Sequence, residues 1–159
     1  MKKIFILIFT FSINLIYSKE IQVNLLELYK ELHANPELSY QEYETSKKLA
    51  SLLESIGYQV TRNVGGNGVV ALLENGDGNT VMFRADMDGL PVEEKTGASY
   101  ASKNRVKNLD GEEVFTMHAC GHDVHMTVLI GVAEYLYKNK DTWQGKLLLV
   151  LEPAEEVSG

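Results

Sequence analysis

Thr80 to Pro91 reads T-V-M-F-R-A-D-M-D-G-L-P, and this stretch decides the fold. Its first half, Thr80 to Ala85, is rich in β-branched and apolar residues, and Val81-Met82-Phe83 is apolar on both faces, which predicts a central sheet strand. The run then breaks into Asp86-Met87-Asp88-Gly89-Leu90-Pro91. Two aspartates two apart at a strand's C-terminal end stand where open α/β sheets place their chemistry. Taken alone, the pair reads equally simply as a solvated acidic turn.

Upstream, Tyr58 to Val64 and Gly68 to Leu73 read as two more strands around Gly65-Gly66-Asn67, with Asn75-Gly76-Asp77-Gly78 leading into the third. Before them the period is helical. Leu25, Leu26, Leu28, Tyr29 and Leu32 mark a first helix that Asn35-Pro36 ends, because the residue before proline avoids the helical region. His33 sits at its end, placed to interact with the helix dipole. A second helix is predicted from Tyr40 to Ile56, with Ala50, Leu53 and Ile56 on its buried stripe and Gly57 as the stop.

Downstream, residues 92–116 read as an irregular excursion carrying the solvated basic residues Lys103, Arg105 and Lys107. Val124, Val128, Leu129, Val132, Ala133 and Leu136 then mark a third helix from near His122 to near Lys138. Lys146 to Leu151 is predicted to be a fourth, fully buried strand running into Glu152-Pro153-Ala154-Glu155-Glu156. The fold class is α/β, with a partial mixed, mostly parallel sheet flanked by helices.

Between the excursion and the third helix lies Met117 to Met126, M-H-A-C-G-H-D-V-H-M. Three of the chain's 4 histidines and its only cysteine fall between His118 and His125. One at a time, each has a plain structural reading: a buried thiol, a helix-end imidazole. Together they read as metal ligands. Cys120 and His122 flank Gly121, a spacing that points both side chains to one side of an extended backbone, and the thiolate and imidazole suit zinc or a related ion. Adjacent Glu155 and Glu156 suggest divided roles, one holding a cation while its neighbour handles protons. An alternative makes Cys120 a nucleophilic or redox thiol with His118 or His122 as its base, but that leaves the paired glutamates unexplained.

At 159 residues, 45% hydrophobic and 23% charged, the chain has room for one domain and a real core. Its net charge of −7 argues against nucleic acid or an anionic membrane surface as partner and favours a small molecule. Lys2 and Lys3 precede an apolar run from Ile4 to Ile16 and the polar Ser18-Lys19, the order of a secretory signal. Residues 1–18 are expected to be a signal peptide cleaved after Ser18, or else an uncleaved anchor, which implies a secreted or periplasmic protein. One cysteine permits no intramolecular disulfide in that oxidising setting.

Phe83 to Pro91, Met117 to His125 and Pro153 to Glu156, with His33-Ala34-Asn35-Pro36-Glu37-Leu38-Ser39, resemble the aminoacylase, hippurate hydrolase and indoleacetyl-amino-acid hydrolase branch of metallopeptidase family 20. The resemblance implies a zinc-exopeptidase-like catalytic domain and two divalent ions, zinc or manganese, cleaving the amide of an N-acyl amino acid or small peptide. By that pattern Cys120 bridges the ions, His122 binds one and Glu156 the other. Glu155 is the general base, and Asp86 and Asp88 orient the site from behind, Asp88 being counted with the catalytic residues.

Two departures accompany it: Glu152 stands where most of the branch has glutamine, and relatives are more than twice as long, with two further histidine ligands and a dimerisation domain. Residues 19–159 are therefore expected to be the N-terminal part of a catalytic domain, weak or inactive alone, with homodimers confined to a full-length form. The competing expectation is an inactive, metal-binding remnant.

Overall fold

The computed structural model describes residues 22–157, so the expected signal segment lies outside the described residues. Helix α1 (Leu25–Ala34) starts at Asn24, whose side chain accepts from Glu27 N at 3.3 Å, and it stops ahead of Pro36. Helix α2 (Tyr43–Ile56) begins later than its apolar period suggests. Its first free amides, on Glu44 and Thr45, donate to the Glu37 carboxylate at 3.1 and 2.7 Å, so a residue outside the helix caps it. Gly57 ends it at φ 119°, where the amides of Gly57 and Tyr58 close on the Leu53 carbonyl.

Strands β1 (Gln59–Val64), β2 (Gly68–Asn75) and β3 (Thr80–Asp86) follow. The excursion contains a small hairpin, β4 (Arg105–Lys107) with β5 (Glu113–Phe115). Helix α3 (His122–Lys138) and a short 3₁₀ turn, Lys140–Thr142, lead to β6 (Gly145–Glu152). Arg105 is not merely solvated: its guanidinium stacks 4.0 Å over Phe115 and reaches Glu113 at 3.2 Å.

The main sheet runs β1-β2-β6-β3. It is mixed and flanked by helices, as expected, but among the described strands only β3–β6 is parallel, while β1–β2 and β2–β6 are antiparallel. The cause is the short Gly76–Asn79 turn. It reverses the chain between β2 and β3, and β6, returning through the α3 crossover, inserts between those two strands and can be parallel to only one of them.

The expected central strand is therefore β6 and not β3. Among the described strands β3 is an edge, with Val81, Met82 and Phe83 at 53%, 60% and 41% exposure. Nor is β6 buried on both faces. It alternates, burying Leu147, Leu149 and Leu151 with Val69, Ala71, Leu73 and Ala85 on one face. Against that face pack Leu28 and Leu32 of α1, Leu49, Ala50, Leu53 and Ile56 of α2, and Met126, Leu129, Ile130 and Ala133 of α3.

The α2–β1 turn is tightly specified. A Cβ on Gly57 would lie 2.5 Å from the Tyr137 ring, on a backbone already in the left-handed region. Gly57→Ala should lower stability by about 1–3 kcal/mol with an unchanged urea m-value, since both the ring and the backbone must give. A urea midpoint equal to the parent's would refute this packing.

Candidate metal centre

The parallel register of β3 with β6 sets Asp86 opposite Glu152, and Met87 N donates to Glu152 O at 3.0 Å. Two acidic strand ends thus emerge at one sheet edge. A third stretch is docked beside them by the Leu90–Met117 bridge, whose two amide–carbonyl bonds are 2.9 and 3.0 Å long. From there the chain turns through Gly121, at φ 93°, directly into α3 with His122 as its first residue.

His122 is 2% exposed. Its Nδ1 lies 2.8 Å from the Asp88 backbone oxygen, and a carbonyl only accepts, so Nδ1 is committed as a donor and Nε2 is the ring nitrogen left for other partners. That free nitrogen faces Glu155 Oε2 at 3.6 Å and Glu156 Oε1 at 3.8 Å. Asp88, itself buried, accepts from Ser39 Oγ at 2.6 Å and Glu156 N at 3.0 Å through Oδ2, while Oδ1 stands 3.4 Å from His122 Nδ1. One aspartate therefore ties together the ends of β3 and β6 and the first turn of α3.

Ligand atoms of Cys120, His122 and Glu156 all lie within 4.8 Å of one another. Glu156 Oε1 and Asp88 Oδ1 are buried without a hydrogen-bond partner, which is costly for carboxylates unless a positive charge is near. The Cys120 thiol is pushed up by its hydrogen bond to Glu156, by burial, and by the charges of Glu156, Glu155 and Asp86. A nucleophilic thiol needs the opposite shift. Soft and hard donors, an imidazole nitrogen and uncompensated negative charge together fit a divalent cation.

A second cluster, Asp86, His122 and His125, also lies within 4.8 Å. It shares His122, whose single free nitrogen can serve one ion at a time. It is also partly neutralised, because Arg84 pairs with Asp86 Oδ1 at 3.0 Å and Glu152 Oε2 at 2.7 Å. The unexpected charge of Glu152 thus has its partner on the neighbouring strand.

Residues 82–159 match the sequence profile of Peptidase family M20/M25/M40. Thermostable carboxypeptidase 2 of Saccharolobus solfataricus is 45% identical over 89% of this chain and 34% of its own length. An IAA-amino acid hydrolase of Arabidopsis thaliana is 39% identical over 83% of this chain and 28% of its own. Among solved structures, a Bacillus subtilis protein described as a dinuclear metal-binding peptidase superposes with a TM-score of 0.73 at 36% identity, over 84% of this chain and 35% of that one. The chain belongs to this peptidase family. It spans about one third of the length of the curated relatives it matches.

Within this family member, several residues without an expected role hold the centre together. Glu42, 0% exposed, accepts from Ala154 N at 2.7 Å and Tyr40 N at 3.1 Å through Oε1, and from Asn67 Nδ2 at 3.1 Å through Oε2. Ala154 has φ 56°, a left-handed turn that aims the following Glu155 and Glu156 back toward His122. The sequence signals Glu42 only as an acid in the expected second helix. Its burial follows from the approach of the residue 154 turn, 112 positions away.

His118 is buried, and burial lowers its pKa to about 4, so it is neutral at pH 7. Exposed His125 stands 4.0 Å from Asp86 Oδ2. Beside Glu156 opens a pocket of about 250 Å³ whose walls include Leu38, Leu90, Pro91, Leu109 and Val157.

Replacing Glu42 with alanine strands the Ala154 amide and the Asn67 amide, so stability should drop by about 1–3 kcal/mol. Backbone hydrogen exchange at residues 154–156 should rise beyond the global change. Exchange there matching the parent's would show that Glu42 does not hold this turn.

Proposed function

We propose that this chain carries the water-activating wall of a metal-dependent hydrolase that cleaves the amide of N-acyl amino acids or small peptides. The observation that carries the reading is the placement of the His122 ring: with Nδ1 committed to Asp88, Nε2 is turned toward Glu155 and Glu156. Cys120, His122 and Glu156 are the residues that would hold a divalent ion, zinc or manganese in a two-ion site completed by the rest of a longer protein. When bound, the ions supply Lewis acidity toward the scissile carbonyl and the attacking water.

The remaining work falls to the chain's own groups. Glu155 is the general base: it takes the proton of the water as its oxygen adds to the amide carbon, then delivers that proton to the leaving nitrogen as the C–N bond breaks. Its carboxylate is partly open to solvent, which lets substrate approach it. Asp88 does not meet substrate; it holds the His122 ring and the Glu156 backbone in register. The apolar pocket beside Glu156 is shaped to take the apolar part of an acyl group or side chain, and the similarity to an IAA-amino acid hydrolase supports the amide-bond reading.

A second reading, a cation held without turnover, is favoured by one observation: both cation clusters among the described residues share His122, one of whose nitrogens is already taken by the Asp88 carbonyl. Metal-loaded protein offered N-acetyl, benzoyl and indoleacetyl amino acids separates the two readings. Any hydrolysis, weak in this chain alone, should appear as released amino acid, and Glu155→Gln should abolish it with the cation still bound. A bound cation with no Glu155-dependent turnover supports the remnant instead, and a chain that binds no cation contradicts both.

A further inference from the structure

One buried ionic cluster among the described residues takes no part in the wall just described. His33, in the last turn of α1, is 8% exposed, with Nδ1 2.7 Å from Asp123 Oδ2 and Nε2 3.1 Å from Glu94 Oε1. Ionised carboxylates only accept hydrogen bonds, so both ring nitrogens donate and the ring is a cation between two anions. Burial pulls the His33 pKa down, but the hydrogen bonds to Glu94 and Asp123 and their charges leave it raised. Glu94 is lowered: burial opposes its charge, and the Thr96 hydroxyl, His33 and the Ser102 amide outweigh that cost.

The three residues come from three separate stretches. Glu94 belongs to the excursion and organises it, accepting from Ser102 N at 2.5 Å and from the Thr96 hydroxyl. Tyr100 from the same stretch packs its ring 5.3 Å from the His33 ring. Asp123 is the second residue of α3, beside His122. That position matters because α3 has no side-chain cap: Gly121 precedes it in a left-handed conformation with open space around its α-carbon. The start of α3 is therefore held from outside, by Asp88 on His122 and by His33 on Asp123.

We propose that His33 is a positioning residue for the metal centre: by bridging Asp123 and Glu94 it pins the first turn of α3, and with it His122, against the excursion. The proposal rests on reading Cys120, His122 and Glu156 as the ligand set. Without His33, two buried carboxylates face each other with no cation between them, and the strain falls on the turn that carries His122.

The test uses the whole chain, cobalt(II) as probe, and Gly57→Ala as a control destabilised far from the site. His33→Gln keeps a polar side chain but can donate to only one carboxylate at a time. It should weaken cobalt binding by roughly tenfold or more, as loss of a ligand-orienting partner does, and should shift the visible cobalt bands, while Gly57→Ala changes neither. Glu94→Gln, remote from the ligands, should move both readouts in the same direction and serves if His33→Gln does not fold.

Cobalt affinity within twofold of the parent and an unchanged spectrum in both variants would overturn the proposal. Should the parent bind no cobalt through Cys120, the ligand reading fails by itself. Amide exchange at residues 122–126 then decides the clamp: it stands if exchange there rises at least tenfold in His33→Gln over Gly57→Ala, and falls if the two match.

Discussion

The centre depends on one hydrogen bond, from His122 Nδ1 to the backbone oxygen of Asp88. It fixes which ring nitrogen is free and points it at the paired glutamates, and it does so with a main-chain carbonyl that cannot rotate away. That carbonyl is in place because β3 runs parallel to β6 and the chain leaves β3 at Asp86 on the side where β6 delivers Glu152. The sheet order, with β6 inserted between β2 and β3, thus translates directly into the orientation of one imidazole.

Around that bond the electrostatics are one-sided. Asp86, Asp88, Glu155 and Glu156 converge, and Arg84 answers only Asp86 and Glu152. Desolvated carboxylate oxygens without donors are unfavourable in an isolated chain. A divalent ion bound among them would offset that cost, and its binding would then add to the stability of the fold. The raised Cys120 thiol expresses the same imbalance, since the surrounding anions oppose a thiolate until a cation compensates it.

Much of this arrangement was legible in the sequence because its signals are local. Asn35-Pro36 ended α1, Gly57 ended α2 and Gly121 opened α3, each through backbone rules that act within a few residues, and the same local reading singled out Cys120 and His122, which lie with Glu156 in one cluster. The strand positions were legible but not their order: Val81-Met82-Phe83 reads as a buried centre by composition yet lies at an edge among the described strands. Periodicity reports what a strand can bury and not which neighbours it finds. Glu42 and His33 were the least legible. An acid at a helix start and a histidine at a helix end have ordinary local explanations, and their real partners, Ala154 and Asp123, lie 112 and 90 positions away.

The most direct measurement is anomalous diffraction from crystals grown with zinc or manganese. The account predicts an anomalous peak within ligand distance of Cys120 Sγ, His122 Nε2 and the Glu156 carboxylate, with Nδ1 of His122 still on the Asp88 carbonyl. A peak bound through Nδ1, or confined to Asp86 and His125 with Cys120 left free, would contradict it.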